Sequence, residues 1–130
     1  MRNISILGAT GSIGLSTLDV IRRHPEKFNV VSLSANTNVQ LMMEQCREFS
    51  PKIVVMVSEK HAEQLQVQLQ SENLDKIIVK SGHAALSEIV SSVDVDIVMA
   101  AIVGASGLLP TMAAVKQGKR ILLANKEALV

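Results

Sequence analysis

Short runs of β-branched and other apolar residues alternate with longer amphipathic stretches along all 130 residues. The short runs predict strands at residues 3–7, 28–35, 52–57, 76–80, 96–102 and 120–124. The longer stretches predict helices at residues 12–23, 39–49, 59–70, 82–90 and 108–117. Strands that alternate with helices form βαβ units with right-handed crossovers. The sequence therefore predicts an α/β fold: a Rossmann-like doubly wound, mainly parallel sheet with helices on both faces.

The composition supports this fold and argues against several classes of function. Apolar residues make up 48% of the chain and aromatic residues 2%, so a core of Ile, Val, Leu, Met and Ala is expected, as in buried parallel strands. A net charge of +1 with dispersed Lys and Arg gives no basic patch for nucleic acid. Neither a secretory pattern nor an apolar run long enough for a membrane span is visible. We expect one cytoplasmic domain with no nucleic-acid or membrane partner.

Cysteine and histidine give no metal-site pattern. The lone Cys46 excludes an internal disulfide and falls at helical spacing with two methionines, so we expect it to fill the core. Three histidines lack a ligand partner at i+3 or i+4 and are expected in solvent or in loops: His24, His61 and His83.

Three glycines in the spacing G-x-x-G-x-x-G separate the first predicted strand from the first helix, at residues 8–14, which we call the glycine loop. Gly8 suits a tight turn, Gly11 allows a pyrophosphate close to the backbone, and Gly14 allows the helix to lie close to the strand. The helix N-terminus supplies free N–H groups, and Thr10 and Ser12 add hydroxyl donors. The glycine loop predicts dinucleotide binding; a glycine-rich turn without a ligand is the alternative.

The segment after the second strand bears on which dinucleotide is bound. NAD-binding domains usually carry an Asp or Glu there, on the ribose 2′-hydroxyl. This chain has Asn36, Thr37 and Asn38 instead, which can donate hydrogen bonds to a 2′-phosphate. NADPH is therefore favoured over NADH. Alternatively, Asn38 simply caps the next helix and Asn36 lies in a turn.

Three polar residues follow the last predicted strand and should emerge at the carboxyl edge of the sheet. Lys126 could hold a substrate phosphate or polarise a carbonyl, and Asn125 could orient a nicotinamide carboxamide. An ordinary helix start, with Asn125 as the cap and Glu127 favouring the dipole, explains the same residues equally well.

Three motifs together resemble the 1-deoxy-D-xylulose 5-phosphate reductoisomerase family. Residues 8–14 read GATGSIG, residues 16–19 read STLD, residues 99–105 read MAAIVGA, and residues 122–127 read LLANKE. The similarity extends from Met1 to Val130. The resemblance implies an NADPH-dependent enzyme that rearranges 1-deoxy-D-xylulose 5-phosphate on Mg²⁺ or Mn²⁺. The product, 2-C-methyl-D-erythritol 4-phosphate, belongs to the non-mevalonate route of isoprenoid biosynthesis.

The same resemblance implies roles for particular residues. The pyrophosphate would be bound by Thr10, Gly11, Ser12 and Ile13. The adenosine ribose and its 2′-phosphate would lie at Asn36, Thr37 and Asn38. Other parts of NADPH would contact Asn125 and Glu127, and the sugar phosphate would contact Lys126.

The chain departs from the family pattern in two respects. The family often has Gly, a basic residue and Asn after the second strand, so Asn36-Thr37-Asn38 lacks a cation for the 2′-phosphate. The family's metal-binding Asp and Glu residues and its dimer-forming regions would lie beyond Val130. Residues 1–130 are therefore expected to be the NADPH-binding domain of a longer homodimeric enzyme, with a natural start at Met1 but no catalytic or metal-binding residue. Alternatives are another NADP-dependent oxidoreductase, such as a sugar epimerase or semialdehyde dehydrogenase, and a non-catalytic nucleotide-binding module.

Overall fold

The computed structural model describes residues 1–101, 112, 116 and 118–123. Its strands are β1 (Arg2–Leu7), β2 (Phe28–Ala35), β3 (Ile53–Met56), β4 (Ile78–Ser81), β5 (Ile97–Ala100) and β6 (Arg120–Leu123). Its helices are α1 (Ser12–Arg23), α2 (Val39–Phe49), α3 (Glu59–Ser71) and α4 (His83–Ser91). Most of the helix predicted at 108–117 lies outside the described residues.

The described strands form one parallel sheet in the order β4-β3-β2-β1-β5-β6. The chain first moves outward from β1 to β4, then crosses back to place β5 on the other side of β1. This reversal makes the carboxyl ends of β1 and β5 the topological switch point, where open α/β sheets bind their ligands. The predicted doubly wound, parallel fold is confirmed.

Two apolar cores cover the two faces of the sheet. On one face, Ile6 and Leu33 of the sheet pack in a cluster with Leu18 of α1, Met42 of α2 and Leu65 of α3. The cluster on the other face joins strand residues to α4 and includes Leu7, Val31, Val55, Val98, Leu86, Ile89 and Val90. Nearly all these side chains are aliphatic, as the scarcity of aromatic residues requires.

Local capping sets the helix boundaries much as predicted. The Asn38 side chain accepts a hydrogen bond from the Leu41 N–H at 3.1 Å, and the Ser58 hydroxyl accepts from the His61 N–H at 3.4 Å. Ser50, with φ of +46°, ends α2 directly before Pro51.

The strand predicted at 76–80 begins two residues later, at Ile78. The Ile77 N–H donates to the Leu74 carbonyl at 3.2 Å, so it belongs to a turn rather than to the sheet. Ile77 is nevertheless buried. The apolar pattern therefore predicted the burial of Ile77 correctly, but the prediction that Ile77 pairs in a strand was wrong.

Every helix in the described part of the chain is too short or too polar to cross a bilayer.

The thiol of Cys46 is a core group, as predicted. It is completely buried on α2, and burial raises its pKa to about 12 even though Arg47 nearby favours the thiolate. Because the thiolate is the reactive form, we expect Cys46 to resist a thiol reagent such as iodoacetamide in the folded chain at pH 8 and to react once the chain unfolds. Mass spectrometry with and without urea measures this difference. Rapid labelling of the folded chain would contradict the burial.

Candidate functional site

A cavity of about 380 Å³ lies at the carboxyl ends of β1 and β2. Its walls come from the glycine loop, from the segment that ends β2, and from residues near the ends of β3, α4 and β5. The lining residues are Gly8, Thr10, Gly11, Ser12, Ile13, Ser34, Ala35, Asn36, Thr37, Asn38, Val57, His83, Leu86 and Ala101. The structure thus brings together seven of the ten residues predicted for the site. Asn125, Lys126 and Glu127 lie outside the described residues.

The fold requires glycine at some positions of the glycine loop but not at others. Gly8 has φ of +79°, a conformation that other residues rarely adopt. A Cβ on Gly14 would lie 2.2 Å from the Gly8 carbonyl oxygen. Gly11 has the ordinary angles φ −80° and ψ 171°, and a Cβ there would approach no atom more closely than 3.7 Å. The fold therefore requires glycine at 8 and 14 but not at 11, where the residue lines the cavity.

The N-terminus of α1 is open towards this cavity. Its N-cap residue, Gly11, has no side chain that could cap the helix, and the first turn contains no acidic residue. By contrast, the side chains of Asn38 and Ser58 cap α2 and α3. Ser12 and Ile13 of the first turn are exposed and line the cavity. Unpaired N–H groups and the positive end of the helix dipole suit an anion at this place.

Two buried side chains hold the first residues of the glycine loop. Ser34 of β2 accepts a hydrogen bond from the Gly8 N–H through its hydroxyl, at 3.1 Å, and from the Ala9 N–H through its carbonyl, at 2.7 Å. Gln45 of α2 donates from Nε2 to the Ala9 carbonyl oxygen at 2.9 Å. Sequence reasoning missed Gln45. The available signal was a polar residue on the same helical face as Met42 and Cys46.

The segment after β2 offers hydrogen-bond donors without a carboxylate. Asn36, Thr37 and Asn38 are all exposed and line the cavity. Asn38 uses its Oδ1 to cap α2, which leaves its amide Nδ2 free to donate elsewhere. The capping role predicted for Asn38 is confirmed and is compatible with ligand binding.

His83 is exposed to solvent, as predicted, but it lies on a helix and at the cavity, which the sequence did not predict. It is the first residue of α4, is exposed, and lines the cavity beside Val57 and Leu86. It reaches the cavity because the chain returns across the sheet after β4, a path that local sequence does not reveal. The lining residues that the structure describes include no Asp, Glu, Lys or Arg.

The ion pairs that shift the pKa of a carboxyl group lie away from the cavity. Arg47 donates two hydrogen bonds of 2.7 Å to Glu72, and these bonds hold the pKa of the Glu72 carboxyl below its ordinary value. Arg22 lowers the pKa of Glu48 in the same way. These exposed pairs join neighbouring elements and carry no chemistry at the site.

The described residues contain no cluster of three or more His, Cys, Asp or Glu side chains that could hold a metal ion. They therefore supply no residues to fit a divalent metal. The cavity they form is suited to binding an anionic ligand through N–H and hydroxyl groups.

Comparison with known proteins places the chain in a family. The family model described as 1-deoxy-D-xylulose 5-phosphate reductoisomerase matches residues 4–130. The chain belongs to this family. The resemblance seen in the three motifs is thus confirmed.

Individual reductoisomerases match over nearly the whole chain. The proteins of that name from Colwellia psychrerythraea and Nitrosococcus oceani are 59% and 58% identical, over 99% and 100% of the chain and 31% and 33% of their own lengths. A crystal structure of DOX-P reductoisomerase in complex with NADPH, fosmidomycin and magnesium has a TM-score of 0.94 at 45% identity, covering 99% of this chain and 31% of its own. The Zymomonas mobilis reductoisomerase in complex with NADPH has a TM-score of 0.89 at 38% identity, covering 98% of this chain and 33% of its own. The chain therefore spans about a third of the length of the curated relatives it matches.

Proposed function

We propose that residues 1–130 are the NADPH-binding domain of a 1-deoxy-D-xylulose 5-phosphate reductoisomerase. The observation that carries this proposal is Gly11, which the fold does not require and which lines the cavity at the uncapped start of α1. A ligand-free turn would explain Gly8 and Gly14 but not Gly11. A phosphate that approaches the backbone explains it, because a Cβ would occupy that space.

The cofactor would bind across the cavity in two parts. Its pyrophosphate would lie at Thr10, Gly11, Ser12 and Ile13, where backbone N–H groups and two hydroxyls can donate. Its adenosine ribose and 2′-phosphate would lie at the exposed segment Asn36, Thr37 and Asn38. The solved relatives in complex with NADPH support NADPH as the ligand of this cavity.

In the whole protein, bound NADPH would supply the hydride that reduces the rearranged sugar phosphate. The described residues would bind and orient the cofactor, and no step of the metal-dependent rearrangement is assigned to them. Asn125 and Glu127 would contact NADPH, and Lys126 would contact the phosphate of 1-deoxy-D-xylulose 5-phosphate. We further propose that the whole protein is a cytoplasmic homodimer that uses Mg²⁺ or Mn²⁺, and that the 130-residue chain alone binds NADPH without turnover.

A calorimetric titration of the chain with NADPH and NADH tests the proposal. We expect NADPH to bind about tenfold more tightly, a difference of about 1.4 kcal/mol. Asn and Thr donors can bind the 2′-phosphate, and no carboxylate among the described lining residues repels it. The difference should stay modest, because none of the described lining residues is a Lys or Arg that could form a charge-assisted hydrogen bond with the 2′-phosphate.

The variant Asn36→Asp sharpens this test. It adds a carboxylate where NAD-binding domains carry one, so we expect it to weaken NADPH about tenfold and to leave NADH unchanged or tighter. Gln66→Glu, on the exposed surface of α3, adds the same charge elsewhere and should change neither affinity. Undetectable NADPH binding, or tighter binding of NADH to the unmodified chain, would refute the proposal.

A further inference from the structure

Gln45 is a polar side chain within the apolar core on one face of the sheet. It is 4% exposed and lies on the buried face of α2 with Met42, Met43 and Cys46. Its Nε2 donates to the Ala9 carbonyl oxygen at 2.9 Å. Its Oε1 is also buried, yet it has no hydrogen-bond partner among the described residues.

The unpartnered Oε1 argues that Gln45 does more than fill space. The contact with Ala9 fixes the amide orientation, since the reversed amide would place Oε1 against another acceptor oxygen. A buried acceptor without a partner is destabilising, and an apolar side chain of similar size would avoid that cost. Such a cost is typical of positions where function limits the choice of residue.

The contact has a direct geometric consequence for Thr10. The Ala9 carbonyl and the Thr10 N–H belong to one peptide unit, and in a trans peptide these two groups point in opposite directions. Because Gln45 holds the Ala9 oxygen on the core side, the Thr10 N–H points away from the core. Thr10 itself lines the cavity.

We propose that Gln45 is a positioning residue that aims the Thr10 N–H at the cofactor's pyrophosphate. This inference rests on the proposed NADPH function and deepens it. Ser34 holds the Ala9 N–H on the preceding peptide unit, so Ser34 and Gln45 together fix both peptide planes that flank Ala9. The Ser34 contact with Ala9 is made by its main-chain carbonyl, and the Gln45 side chain need not touch the cofactor to affect its affinity.

The experiment compares two ligands on the 130-residue chain and its Gln45→Met variant. Methionine matches glutamine in length and removes the donor to Ala9. We expect the Kd for NADPH to rise about tenfold, because the Thr10 peptide loses its fixed orientation. The Kd for adenosine 2′-monophosphate, which lacks the pyrophosphate, should change less than about twofold. The melting temperature should move by less than about 4 °C, because the variant removes one unpartnered acceptor while creating another.

Two further variants keep the outcome interpretable. Gln66→Met makes the same substitution on the exposed surface of α3 and should bind both ligands like the unmodified chain. If Gln45→Met does not fold, Gln45→Leu, which suits an apolar helix face, should show the same selective loss of NADPH affinity. Unchanged NADPH binding in the folded Gln45 variant would overturn the positioning role and leave the proposed function intact. Equal weakening of both ligands would also overturn it, whereas an unmodified chain that binds no NADPH would overturn the proposed function.

Discussion

Replacing Gly14 with alanine should destabilise the chain by about 3 kcal/mol, the cost of forcing an extra carbon into a closed packing site. The added Cβ would lie 2.2 Å from the Gly8 carbonyl oxygen and 2.7 Å from the Ala9 Cα. Both are backbone atoms, so no side-chain rotation can relieve the contact. Ser34 and Gln45 also hold Gly8 and Ala9 in place, which limits how far the loop can retreat. The higher helix propensity of alanine offsets about 1 kcal/mol at most.

Urea denaturation followed by circular dichroism measures this effect on the free energy of unfolding. Ser16→Ala is the matched control, because Ser16 is exposed on the same helix and should change stability by about 0.5 kcal/mol or less. An unchanged midpoint for Gly14→Ala would show that the N-terminus of α1 does not pack against Gly8 and Ala9 as closely as the structure has it.

The fold was predictable from the sequence because its main signals are local. Each described strand overlaps a short apolar run in the sequence, and α1 buries Gly14, Leu18 and Ile21 at helical spacing. The order of the strands was not predictable in the same way. Whether β5 pairs with β1 or extends the sheet beyond β4 depends on a crossover that no short segment specifies.

Some residues of the candidate site were likewise predictable from local sequence, and others were not. Residues that follow strands, such as Thr10 and Asn38, were found because parallel strands bring their carboxyl ends to one edge. His83 also follows a strand, β4, but was not identified, and Gln45 was missed because its place depends on a contact between distant segments. Gln45 contacts Ala9, which lies 36 positions away along the chain.

The glycine loop shows most clearly what the structure adds. The spacing of Gly8, Gly11 and Gly14 assigns each a role by analogy with other dinucleotide-binding loops. The backbone angles and the distances to a hypothetical Cβ separate the two glycines needed for folding from the one left for a ligand. That separation can be tested with a single pair of variants.

Replacing Gly11 with alanine should leave the fold intact and weaken NADPH binding by about 10- to 100-fold, equivalent to about 1.4–2.8 kcal/mol. The methyl group would lie 3.7 Å from the Gly8 carbonyl oxygen, an ordinary contact, so the unfolding free energy should fall by only about 0.5 kcal/mol, through the poorer N-cap. In the bound state the same methyl group would occupy the space in which a phosphate approaches the N–H groups of α1. Gly14→Ala and Gly11→Ala therefore make the same chemical change three residues apart. We expect the first to lower the free energy of unfolding and the second to weaken NADPH binding.

Calorimetry with NADPH and urea denaturation on both variants complete this comparison. If Gly11→Ala bound NADPH as tightly as the unmodified chain, the glycine loop would not approach the pyrophosphate, and the central support for the proposed function would be lost. If it instead unfolded like Gly14→Ala, Gly11 would have a structural role, and a ligand-free turn would again explain all three glycines. Loss of affinity with retained stability is the result that assigns the loop to the cofactor, because no contact within the described chain accounts for it.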